Sequence, residues 1–218
     1  ILRDYFVSTF DRYESLFECL VNDQAFYTKS ISLRHPLIFY YGHTATFFVN
    51  KLLLTRMISE RVNQRFESTF AVGVDEMSWD DLNDSNYQWP TPAEVKSYRD
   101  QVRSLVLDLI DNAPLQMPVD WNNPWWAIIM GIEHERIHLE TSSVLIRQHK
   151  LEFVRKSPSW APNQHTGAAP QNELVKVAAG QVTLTKEKSD PFYGWDNEYG
   201  THHSDVPAFE AAKFLVSN

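Results

Sequence analysis

The sequence predicts a mainly α fold, a bundle of four long helices over residues 1–156, then a linker over 157–173 and an incomplete α+β segment over 174–218. Three observations support this. Four separate stretches repeat apolar residues at three-to-four spacing, the period of a helix with one buried face. The chain has 218 residues, 43% of them hydrophobic and 13% aromatic, enough to build a sizeable core. Past residue 157 the helical period stops at Pro158, Pro162, Gly167 and Pro170, and a run rich in Val and Thr follows.

The first helix is marked by Phe6, Phe10, Tyr13, Phe17 and Leu20 following Tyr5. Pro36 suits a first turn, and residues 37–58 are apolar on most sides with no breaker after Gly42, which predicts a second, buried helix. Residues 59–90 hold Gly73, a cluster of acidic residues from Asp75 to Asp84 and single aromatics such as Trp79, so the expectation is a long ordered loop. Thr91 and Glu94 have the spacing of a capping box, and Pro92 sits just inside the start. Val95, Tyr98, Val102, Leu105 and Leu109 continue that third helix to about Asn112, before Pro114. Asn123 and Pro124 open a fourth through Trp126, Ile129, Ile132, Ile137 and Leu145 to about Gln148. Residues 174–185, rich in Val and Thr around Gly180, read as a strand pair. About 45 residues are too few for an independent core without staples, so this tail reads as the start of something longer.

The formal charge of −8, with Lys and Arg scattered rather than striped, argues against nucleic acid as a partner. No apolar run reaches the roughly 18 residues that a membrane span needs, and charges stand in the first residues, Arg3, Asp4 and Asp11. A cytoplasmic location is the expectation. Cys19, the one cysteine, has no internal partner and sits among Leu16, Phe17 and Leu20 as a core thiol would.

His134 and His138 carry the chemistry. At i and i+4 of the fourth helix their imidazoles lie about 40° apart around the axis and about 6 Å along it, so both can reach one cation. His43 sits among Tyr40, Tyr41, Phe47 and Phe48 on the second helix, and metal sites in bundles are built from such inward projections. A hydrogen-bonded core histidine is the alternative for His43. Glu133, Glu135 and Glu140 are close in sequence, but helical rotation puts Glu135 and Glu140 off the histidine face. Glu140 is expected in a supporting role or on the surface. His134-Glu135-Arg136-Ile137-His138 also matches the zinc-protease pattern H-E-x-x-H, in which the glutamate is the general base. One protease class would continue with Gly and His where this chain has Thr141 and Val144.

Gly42-His43-Thr44 opening an aromatic helix, with His134-x-x-x-His138-x-Glu140, resembles the DinB-like bundle of the sulfoxide synthases, which make ergothioneine and ovothiol. RHPLIFYYGHTATFFVNKL, GVDEMSWDDL and HERIHLETSSVLIRQ are similar to the ovothiol branch, the 5-histidylcysteine sulfoxide synthases, over most of residues 30–150. From VKVAAGQVTL through Phe192, Gly194 and Trp195-Asp196-Asn197-Glu198 the tail resembles the opening of a formylglycine-generating-enzyme-like domain. The resemblance implies Fe(II) on His43, His134 and His138, with cysteine and histidine joined and sulfoxidised by O2. It also implies that the family's catalytic tyrosine lies beyond Asn218, so that the chain is a fragment that binds iron but turns over feebly or not at all. Where the ergothioneine branch has glutamines between the paired histidines, this chain has Arg136 and Ile137, which favours the ovothiol branch. A DinB-like metal-dependent thiol transferase is the second enzymatic reading, and a non-catalytic bundle the third.

Overall fold

A computed structural model describes residues 1–72, 83, 87–161 and 167–216. The chain divides into two compact units, Ile1–Ala161 and Pro162–Asn218. In the first, α1 (Leu2–Phe17), α3 (Leu37–Leu54), α5 (Pro92–Asn112) and α6 (Trp126–Arg147) are the four long helices; α2 (Asp23–Tyr27) and α4 (Gln64–Thr69) are short. The packed pairs are α3 with α6, α1 with α6, α3 with α5 and α1 with α5. Going round the bundle the order is therefore α1, α6, α3, α5. No helix among the described residues is long and apolar enough to cross a membrane.

Local chemistry sets the boundaries. Thr91 and Glu94 form the capping box, each side chain meeting the other's backbone N–H, and α5 runs to Asn112 as expected. α3 stops at Leu54 rather than residue 58, because Arg56 turns into the left-handed region (φ 58°) and the Met57 N–H reaches back to the Leu52 carbonyl. The expected loop over residues 59–90 contains α4, started by the Asn63 side chain accepting from the Phe66 N–H. A six-residue helix is too short for a hydrophobic period to show. Trp79 and the segment GVDEMSWDDL, residues 73–82, lie outside the described residues.

The core takes Phe6, Phe10, Tyr13 and Phe17 from α1, Leu37, Ile38, Phe48 and Leu52 from α3, Val95, Val102 and Val106 from α5, and Ile128 and Ile132 from α6. α6 departs from its apolar pattern. It buries His134, Glu135, His138 and Ser142 and leaves Ile137 and Val144 each 45% exposed, so the apolar count misplaces Ile137. Polar groups occupy that face because of two constructions, the histidine cluster and a buried ion-pair network.

The network centres on Arg99 of α5, which is fully buried. Its Nε donates to Glu14 of α1 (2.9 Å), Nη1 to the Tyr41 carbonyl (3.0 Å) and Thr44 Oγ1 (2.8 Å) of α3, and Nη2 to Glu135 Oε1 of α6 (2.8 Å). The guanidinium lies 4.2 Å from the Phe10 ring centroid. Burial alone would lower the pKa of Arg99, but the Glu135 and Glu14 carboxylates hold it above its ordinary value, so the charge stays.

The second unit is a two-stranded ribbon in two parts. β1 (Leu174–Val177) pairs antiparallel with β4 (Phe209–Ala212), and β2 (Gly180–Lys186) with β3 (Gly200–Val206). The expected pairing within residues 174–185 is thus incorrect. Those residues form two strands, but each pairs with a strand beyond residue 199. The ladder breaks where Ala178 and Ala179 face Pro207 and Ala208, since proline has no N–H to donate. Apolar side chains of the ribbon stand in solvent, Leu184 at 65% and Phe192 at 73%.

Close approach of α3 and α6 requires Gly131. A Cβ there would lie 2.3 Å from the Phe48 ring, deep in the core. Gly131→Ala gains about 1 kcal/mol of helix propensity but overpacks a rigid aromatic at about 1–3 kcal/mol. Denaturant unfolding should show a net loss of stability of up to roughly 2 kcal/mol.

Candidate metal centre

His43, His134 and His138 converge. One ring nitrogen from each lies within 4.8 Å of the other two, and all three residues are buried. Among the described residues no other group of three or more His, Cys, Asp or Glu side chains converges in this way. The ring centroids form a near-equilateral triangle, with sides of 4.4 Å (His134 to His138), 4.7 Å (His43 to His138) and 4.9 Å (His43 to His134). The i, i+4 spacing on α6 supplies one side and the α3–α6 contact supplies the other two.

The tautomers follow from the hydrogen bonds. His43 Nδ1 is 2.6 Å from the Phe70 carbonyl, which can only accept, so Nδ1 carries the proton and Nε2 presents a lone pair. That lone pair faces His134 Nε2 at 3.2 Å. If both nitrogens met a cation at the roughly 2.0–2.1 Å typical of zinc and imidazole, they would subtend an angle of about 100°. That suits adjacent positions of a tetrahedral or an octahedral shell. The carbonyl behind His43 is also the partner that a metal-ligating histidine ordinarily has on its other nitrogen. His134 Nδ1 and His138 Nδ1 are buried without a hydrogen-bond partner, so hydrogen bonding inside the core does not account for these two rings.

Burial, with smaller contributions from the neighbouring imidazoles and Lys51, holds His134 well below the ordinary imidazole pKa. Burial and then His43 push His138 down to about 3. Both rings are therefore neutral at physiological pH, as ligands must be. Aromatic rings wall the cluster: Phe47 stacks on His134 at 3.7 Å, Phe39 lies parallel to His43 at 5.2 Å, and Tyr40 is 5.9 Å from His138. The histidines keep 5–9% of their surface, which leaves the desolvated cluster within reach of small molecules.

The carboxylates go elsewhere. Glu135 is held by Arg99 and Thr44, away from the histidine nitrogens, so the general base of the H-E-x-x-H reading is engaged in an ion pair. Glu140 is exposed, the surface position that was one of its two expected places. The support that a carboxylate could have offered His43 comes from the Phe70 backbone, which no side-chain pattern reveals. Gly42 is the sequence trace of it. A Cβ on Gly42 would lie 2.4 Å from the Phe70 ring, and only the bare helix surface lets Phe70 approach the residue beside it. Elsewhere, a cavity of about 500 Å³ lies between Met57, Leu109 and the residues from Pro114 to Trp125; none of the three histidines lines it.

Three curated relatives have matching sequence. Ergothioneine biosynthesis protein 1 of Neurospora crassa is 27% identical over 209 residues, covering 87% of this chain and 23% of the relative. Its namesake in Schizosaccharomyces pombe is 23% identical, with 91% and 29% covered. Hercynine oxygenase of Mycolicibacterium thermoresistibile is 31% identical over 128 residues, with 59% and 27% covered. The chain thus spans between a fifth and a third of the length of each. The family model of the DinB superfamily matches residues 5–142, which include all four long helices in whole or large part and all three histidines, and the chain belongs to that superfamily.

Proposed function

We propose that this chain is the iron-binding part of a non-haem Fe(II), O2-dependent sulfoxide synthase that joins cysteine to histidine, as in the ovothiol branch. The observation that carries the metal reading is the convergence of three buried neutral imidazoles, one with its tautomer set by the Phe70 carbonyl. The name of one relative, hercynine oxygenase, supports oxygen chemistry over thiol transfer.

Three neutral ligands leave the full +2 charge on a ferrous ion, which would stabilise a thiolate at neutral pH and supply the redox chemistry that O2 needs. The protein's own residues do the rest. His43, His134 and His138 would hold the ion, and with no carboxylate among these three residues its charge would remain available to an anionic sulfur. Phe47, Phe39 and Tyr40 exclude bulk water, which strengthens every charge interaction inside. The Phe70 carbonyl holds the His43 proton away from the metal side. Residues 174–218 are proposed as the opening of a formylglycine-generating-enzyme-like domain, supported by Trp195-Asp196-Asn197-Glu198 and the exposed apolar face of the ribbon.

Hercynine in place of histidine is the second reading, favoured by the name of the hercynine oxygenase, while the other two relatives are named for ergothioneine biosynthesis. Against it stand Arg136 and Ile137 between the paired histidines. The test is O2 uptake with mass spectrometry of the product, using the whole protein that carries this chain and offering cysteine with histidine or with hercynine. A sulfoxide of cysteine and histidine is expected; a hercynine product would transfer the assignment to the ergothioneine branch, and thiol transfer without O2 would overturn both.

Metal binding is tested on the chain itself. Anaerobic Fe(II) titration should give one ion per chain. Removing a ligand is expected to cost more than the roughly 10–100-fold typical of losing a supporting partner, so His43→Ala should bind at least about a hundredfold more weakly with circular dichroism still that of a helical bundle. Unchanged stoichiometry and affinity would make His43 a core residue. Gly42→Ala should weaken binding by about 10–100-fold with all three ligands intact, because the new methyl displaces Phe70 and its carbonyl from His43 Nδ1; the same titration reads it.

A further inference from the structure

The geometry points to Thr44, Glu135 and Arg99 as a positioning device for the histidine cluster, a clamp that sets the distance between His43 and His134 without touching the bound ion. The inference rests on the metal reading above.

The clamp and the ligands share one helix–helix contact. Thr44 follows His43 on α3, and Glu135 follows His134 on α6. One residue along a helix is a rotation of about 100° and a rise of about 1.5 Å. Two helices whose ligands meet on one side of the contact line therefore bring the next residues together on the other. This is what the structure shows. His43 Nε2 and His134 Nε2 approach to 3.2 Å, and Thr44 Oγ1 donates to Glu135 Oε1 at 3.1 Å. The two bridges are neighbouring rungs, and the spacing of one sets the spacing of the other.

Arg99 gives the second rung its stiffness. Nη1 donates to Thr44 Oγ1 and to the Tyr41 carbonyl, both on α3, while Nη2 donates to Glu135 Oε1 on α6. Thr44 therefore accepts from Arg99 and donates its own O–H to Glu135, closing a three-membered ring of hydrogen bonds across α5, α3 and α6. Glu135 Oε2 is buried without a hydrogen-bond partner, so the whole grip on α6 is at Oε1. Every member of the ring is 0–1% exposed, and a ring this dry has no water to take over a lost bond.

A buried network could equally serve only stability. The test separates the two roles with cobalt(II) as probe, since its ligand-field bands report angle and coordination as well as affinity. Wild type, Thr44→Val, Thr44→Ser, Glu135→Gln and Val102→Ala are titrated, with thermal unfolding measured on each. Val102 is buried in α5, and its truncation is a control for lost stability without loss of the clamp. Thr44→Val removes the hydroxyl at equal volume and should bind cobalt(II) about tenfold more weakly, the lower end of the 10–100-fold seen for supporting partners, with shifted bands. Thr44→Ser keeps the hydroxyl and should stay within about twofold of wild type, and Glu135→Gln, which loses the charge, should fall between. Val102→Ala should melt earlier with cobalt(II) affinity and bands unchanged. Affinity and bands of wild type in both Thr44→Val and Glu135→Gln, or affinity that merely tracks melting temperature across the series including Val102→Ala, would overturn the clamp. Should Thr44→Val not fold, Glu135→Gln against Val102→Ala decides. A wild-type chain that binds no cobalt(II) would sink the metal reading instead.

Discussion

A guanidinium with no exposed surface is the constraint around which the bundle is arranged. Taking one charge from water costs several kcal/mol even after relaxation, and only partners in good geometry return it. Arg99 finds them on all of its neighbours: a carboxylate on α1, a carbonyl and a hydroxyl on α3, a carboxylate on α6. No single helix can move without leaving a donor or a carboxylate unpaired in the core. Apolar packing alone tolerates sliding, since one methyl group replaces another at little cost. The ion pair thus makes the register of α3 against α6 a matter of several kcal/mol, and the His43 to His134 approach depends on that register.

Much of the architecture was legible in the sequence because helices announce themselves by period and by caps. Thr91, Pro92 and Glu94 placed the start of α5 to the residue. What period could not reveal were elements shorter than a turn or two, such as α4, and strand partners separated by a long connection, such as β2 and β3. α6 was the instructive failure. Ile137 belongs to the apolar run that marks the helix, yet it is exposed and the buried face includes His134, Glu135, His138 and Ser142. Hydrophobic periodicity assumes that the buried face is the apolar one, and a helix that carries both a buried histidine pair and half of an ion pair breaks that assumption. The same polar residues that spoil the pattern are the ones that mark the helix as functional.

Within the site, side chains were legible and backbone was not. His43, His134 and His138 could be grouped from spacing and helix assignment, whereas the carbonyl that sets the His43 tautomer belongs to Phe70, twenty-seven positions away, and any residue could have supplied it. The one trace it left is Gly42. A glycine inside an apolar helix costs about 1 kcal/mol against alanine, so its presence calls for a close neighbour. Gly131 marks the approach of Phe48 in the same way on α6. Two helical glycines, Gly42 beside His43 and Gly131 about a turn before His134, locate two close aromatic contacts beside the histidine cluster.

The H-E-x-x-H pattern shows how far a motif underdetermines chemistry. Spacing fixes the two histidines on one face and rotates the intervening glutamate about 100° away from it. Whether that carboxylate bends back toward a metal-bound water, as a protease requires, or turns outward depends on what waits on the other side. Here it meets a buried cation that Glu14 also holds, and releasing Glu135 to serve as a base would break one of the two ion pairs of Arg99 inside the core. That release also gives up the hydrogen bonds from Thr44 and Arg99, a loss of the same order as what general-base help is worth, typically a factor of about a hundred to ten thousand, or roughly 3–5 kcal/mol. One residue on a different helix, Arg99, therefore weighs against the protease reading of these five residues.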